Sequence, residues 1–106
     1  MHSELRPWRA IVRDLRVLVP PVWPVEVRRV KMPKDAWGDC SLRKGKGGPR
    51  YVIRVDRDLE PIAALQILIH EWAHVLSWGS ESHLLDDHGP EFGLAYSRVY
   101  QALFER

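Results

Sequence analysis

Four of the five histidines of this 106-residue chain fall in the stretch HEWAHVLSWGSESHLLDDHGPEFG, residues 70 to 93. His70 and His74 are four residues apart, which on a helix puts two imidazoles on one face, a turn from each other. Two nitrogens so placed can share a metal ion, and zinc takes imidazole nitrogen at about 2.0–2.1 Å. Glu71 stands between them. In the pattern H-E-x-x-H this acid reaches water held by the metal rather than the metal itself, and serves as general base. The surrounding run is made of Ile, Leu, Ala and Trp. Burying two rings and a carboxylate there is costly unless something compensates their polarity, and a cation between them would.

A catalytic zinc takes three protein ligands and leaves one position for water. Candidates for the third ligand are His83, His88, Glu81, Asp86, Asp87 and Glu91. His88 is favoured. It comes just before Gly89-Pro90 at the predicted start of a helix, whose positive end disfavours imidazolium and leaves the ring able to bind metal. Gly89 would let the chain turn sharply beside the site. Glu91, on the helix itself, is next in rank, and His83 is expected in a solvated loop. Asp86 and Asp87 are candidates either to orient a ligand histidine or to cap the last helix. Tyr96 is the one candidate oxyanion donor, with a place in the core as its alternative.

The elements that must hold these residues are read from periodicity. Leu5, Trp8, Ile11, Val12, Leu15, Leu18 and Val19 recur at helical spacing, so an amphipathic helix is expected from about Ser3 to Leu18, stopped by Pro20 and Pro21. Its oily face is expected to lie on a sheet. VEVRRVKM (25 to 32), CSLR (40 to 43) and RYVIRVD (50 to 56) read as three strands, the last two as a hairpin around the loose basic turn KGKGGP. In RYVIRVD, Tyr51, Ile53 and Val55 point one way, and Val52 and Arg54 the other. Asp58, Glu60 and Pro61 suit the start of a second helix that is apolar nearly all round, hence buried, and Gly79 suits its end. A third helix starts near Pro90, with Phe92, Ala95, Tyr96, Val99 and Leu103 on one side. This is a single α+β domain over residues 1–106: an N-terminal helix, a small three-stranded sheet, a buried metal-binding helix and a C-terminal helix.

The net charge of +2 conceals an asymmetry: residues 1–55 hold 13 Lys/Arg against 5 Asp/Glu, and residues 56–106 hold 3 against 9. Either the halves neutralise each other on folding, or a basic surface is left for a polyanion. For the second case the candidate nucleic-acid contacts are Arg43, Lys44, Lys46 and Arg50, with Trp37 able to stack on a base. A single cysteine, Cys40, excludes an internal disulfide framework and fits a reducing compartment, so the cytoplasm is expected. No run is long enough to span a membrane.

HEWAH followed by HGPEF fourteen residues after His74 resembles the SprT/Spartan family of zinc metalloproteases. That family pairs H-E-x-x-H with a third histidine in an H-G-x-x-F/W type of motif. The resemblance implies His70, His74 and His88 as ligands of one catalytic Zn²⁺ and Glu71 as the catalytic acid/base. It also implies a minimal zincin-like core, and an extended peptide substrate added as a strand, for which RYVIRV is the expected edge. Protein or peptide substrates follow, with single-stranded DNA or protein–DNA complexes as further partners and a nucleoid-associated location. The paired-cysteine zinc ribbon of many bacterial relatives has no counterpart among these 106 residues. The alternative is a non-catalytic zinc module that binds DNA or protein through its basic half. Glu71 separates the two, since a structural site has no need of a base beside an open position.

Overall fold

The computed structural model describes residues 6–78 and 88–105. The chain runs α1 (Trp8–Leu18), β1 (Val25–Val30), β2 (Gly38–Gly45), β3 (Gly48–Asp56), α2 (Pro61–Leu76) and α3 (Pro90–Phe104), an α+β arrangement of three helices and one open sheet. The sheet order is β1-β3-β2. β1 lies parallel to β3 and β2 antiparallel to it. The chain therefore passes from one edge to the other before the hairpin returns it to the centre. That places RYVIRV in the middle strand, paired on both sides, so it offers no edge. The edges are β1 and β2. Alternation shows which way a side chain faces but not which strands flank it.

The hairpin turn is tighter than the run of glycines suggested. Gly45 pairs with Gly48, leaving only Lys46 and Gly47 between the strands. Lys46 and Gly47 keep negative φ, and Gly48, with φ 92°, supplies the left-handed residue that follows a type I turn in short hairpins. β2 consequently runs eight residues, from Gly38 through Lys44 and Gly45, rather than stopping after CSLR.

Tyr51, Ile53 and Val55 face the core, as their alternation predicts, and meet Leu65, Leu68, Ile69, Trp72 and Val75 of α2. Val52 is buried on the other face, between Glu26 of β1 and Ser41 of β2. α1 contributes Ile11, Val12 and Leu15 to the same core. It begins at Trp8 rather than Ser3, because Pro7 has extended backbone and serves as its N-cap. Expected against the sheet, it lies along α3. Trp72, fully buried, donates its indole N–H to the Val19 carbonyl at 2.9 Å and so fixes α2 against the end of α1.

Candidate metal centre

α2 carries the first two ligand candidates. Pro61 opens it at a position where a missing N–H costs nothing, with Glu60 as N-cap. Asp58, expected to favour the helix start, instead bonds Lys31 at 2.7 Å, and each charge pulls the other's pKa in the expected sense: Asp58 down, Lys31 up. At the other end Ser77 is buried and donates its hydroxyl to the carbonyls of Ala73 at 2.9 Å and His74 at 3.3 Å, closing the last turn. The C-cap is Ser77; Gly79 lies outside the described residues.

Between these ends His70 and His74 come together. Their Nε2 atoms are 3.1 Å apart, and the Nε2 of His88 stands 3.5 Å from that of His70. The ring centroids lie 4.7 Å (His70–His74), 5.3 Å (His70–His88) and 4.7 Å (His74–His88) apart. One nitrogen of each ring falls within 4.8 Å of the other two. A tetrahedral site with zinc–nitrogen bonds of about 2.0–2.1 Å puts neighbouring nitrogens about 3.3 Å apart. The 3.1 and 3.5 Å separations bracket that value, so the three rings fit a common cation. Among the described residues no other His, Cys, Asp or Glu joins the group, Cys40 included. The cluster grades from buried His74 through half-buried His70 to exposed His88, which opens it on one side. Glu71 is 8 % exposed, within α2 beside His70.

His88 reaches the cluster from the residue before Gly89, the N-cap of α3. The chain bends at Gly89 as expected, but with φ −75° and ψ −167°, backbone open to any residue, so the bend does not depend on glycine. Glu91 stands exposed in the first turn of α3 and is not part of the group. His83, Glu81, Asp86 and Asp87 lie outside the described residues.

Phe92, expected on the apolar face of the last helix, also meets the three imidazoles. Its ring lies 5.2 Å from His70, 4.5 Å from His74 and 5.0 Å from His88, centroid to centroid. An apolar wall against three imidazoles limits their rotamers and their access to water. The signal was available: Phe92 is four residues beyond His88, one turn on. Tyr96 lies against Phe92 at 6.1 Å and belongs with the partly buried residues around the core.

The basic candidates are not brought to one place. Arg43, Lys44, Lys46 and Arg50 gather at the hairpin end of β2 and β3, whereas Trp37 precedes the opposite end of β2. Trp37 and Arg43 are separated by most of β2, about 20 Å at the usual rise, and the lysines lie farther still. Trp37 is exposed but cannot join the same short contact. Nor do the two halves of the chain simply cancel. Lys31–Asp58 joins them, while Arg28–Glu26, Arg50–Glu26 and Arg54–Asp39 lie within the first half, on the sheet. Among the described residues no helix is long and apolar enough to cross a membrane. Comparison of the chain with family models, with curated proteins and with solved structures finds no match.

Proposed function

We propose that the protein is a zinc-dependent metalloendopeptidase of the SprT-like type, with His70, His74 and His88 holding one Zn²⁺ and Glu71 as acid/base. The observation that carries the reading is the convergence of three imidazole nitrogens, from two helical regions, beside a glutamate at the second position of H-E-x-x-H. Three nitrogen ligands and no fourth protein donor among the described residues are the donor set of a catalytic rather than a structural zinc. Bound there, zinc would lower the pKa of a water to about 7 and polarise a carbonyl. Glu71 accepts the proton of the attacking water, the peptide C–N bond breaks, and Glu71 returns that proton to the leaving amine. His88, the exposed member, marks the side from which a substrate approaches. Phe92 holds the three rings in place from the other helix.

For a partner beyond the substrate, the hairpin cations are the surface that suits a phosphate backbone. We place any contact with single-stranded DNA at Arg43, Lys44, Lys46 and Arg50, without Trp37.

The test is cleavage of an unfolded, casein-like protein by the zinc-loaded chain and by Glu71→Gln. The variant should retain zinc and lose cleavage. Equal cleavage by the two removes Glu71 from the chemistry and favours the non-catalytic zinc module.

A further inference from the structure

β2 comes against α2 at a point with no room for a side chain. A β-carbon on Gly38 would overlap Ile67 Cγ2 at 2.4 Å and the backbone oxygen of Arg54 at 2.8 Å, and would stand in ordinary contact with Glu71 Cγ at 3.7 Å. Ile67 and Glu71 are four apart on α2 and form one ridge, and the first residue of β2 lies across it. The Ile67 methyl can swing aside. The Arg54 oxygen cannot, since Arg54 belongs to the central strand, paired with Arg28 on one side and Asp39 on the other. A side chain at position 38 must therefore lift β2 rather than displace its neighbours. Backbone conformation does not explain the glycine, because positive φ among glycines is confined to Gly48 among the described residues. Crowding does.

β2 is also an edge strand, with no strand on its outer side among the described residues. Gly38 thus joins two things: the edge of the sheet and the methylene of the candidate base. We propose that Gly38 is a positioning residue, whose missing side chain sets the distance between the β2 edge and Glu71, and through it the placement of Glu71 for proton transfer. This rests on the peptidase reading above. A shift of about 1 Å at a reacting group can cost about a hundredfold in rate.

The experiment compares wild type, Gly38→Ala, Gly38→Ala combined with Ile67→Ala, and Gly47→Ala. The third removes the nearest overlap. The fourth is a control, because a β-carbon on Gly47 would meet nothing within 4 Å. Zinc per chain, the circular-dichroism melting curve, and kcat and KM on a casein-derived peptide are measured on each. Gly38→Ala is expected to stay folded and zinc-loaded at the assay temperature, to lose about tenfold or more in kcat, and to change KM by less than about threefold. The added Ile67→Ala should leave the loss in place, because the Arg54 oxygen still lifts β2, and Gly47→Ala should match wild type. If Gly38→Ala does not fold, the double variant carries the same comparison. A purely structural glycine would lower the melting temperature and leave kcat per zinc-loaded chain unchanged, and that result overturns the proposal. A readout independent of turnover is an NMR contact between Gly38 Hα and Glu71 Hγ in the wild type; its absence also overturns it. Wild type without zinc or without cleavage overturns the peptidase reading and this role together, whereas an active wild type with an equally fast Gly38→Ala overturns this role alone.

Discussion

Replacing His88 by alanine tests whether the metal ties two parts of the fold together or sits on one helix. His70 and His74 both belong to α2, so an ion held by them alone clamps a single turn that backbone hydrogen bonds already hold. His88 lies beyond residues 75–87, before α3, so its bond to the same ion fastens the start of α3 to α2. An ion that binds only the folded chain at a thousand times its dissociation constant adds about 4.1 kcal/mol. For a domain near 100 residues, about 1 kcal/mol moves the melting midpoint by about 4 °C or more, so saturating zinc should raise it by about 15 °C. If loss of His88 weakens binding about a hundredfold, the same zinc exceeds the dissociation constant only about tenfold and adds about 1.4 kcal/mol, or about 5 °C. The assay is a pair of calorimetric melts for each protein, one in buffered zinc and one in chelator. Equal zinc-induced shifts for wild type and His88→Ala would show that His88 is not a ligand. No shift in wild type would refute the cluster as a metal site.

Two further outcomes follow from the sheet. The Glu26 carboxyl is held below its usual pKa by hydrogen bonds from Arg28, against a smaller opposing effect of burial, with Arg50 adding to the lowering. A depressed folded-state value means that its contribution is present above the unfolded pKa and is lost as pH falls through the folded one. Glu26→Gln should therefore lower the urea midpoint only slightly at pH 7, since the pair is exposed, and the gap from wild type should close in acid. A gap that persists unchanged in acid would contradict this. At the hairpin, four phosphate contacts by Arg43, Lys44, Lys46 and Arg50 would give a slope of log affinity against log salt of about −2.8 for single-stranded DNA. Fluorescence titration of Lys44→Ala/Lys46→Ala should reduce its magnitude by about 1.4, and an unchanged slope would place the contact elsewhere.

What the chain discloses about itself depends on how local each feature is. The His70–His74 pair is legible because four residues of helix fix the relative direction of two side chains whatever surrounds them. His88 is legible from its motif and its place before Pro90. The alternation in RYVIRVD gives the buried face of β3 correctly. It gives no hint that β3 is central, because neighbours in a sheet are chosen by the path of the whole chain. The glycine-rich hairpin reads as loose, yet the Gly45–Gly48 pairing carries Lys44 into the strand and puts a full strand length between Trp37 and the lysines. Gly38 reads as one more turn residue in WGD. Its meaning is tertiary, set by Ile67 and Glu71 some thirty residues away. Phe92 lies between these cases, since its spacing from His88 is local but its contact with His70 and His74 requires the two helices to meet.

The most direct trial of the account takes zinc content and cleavage rate from the same sample of wild type and of Glu71→Gln. One zinc per chain in both, with the rate lowered by about a hundredfold or more in the variant, is the expected result, since a general base typically contributes about 10²–10⁴-fold. Zinc in both with undiminished cleavage in the variant, or no zinc in the wild type, would contradict it.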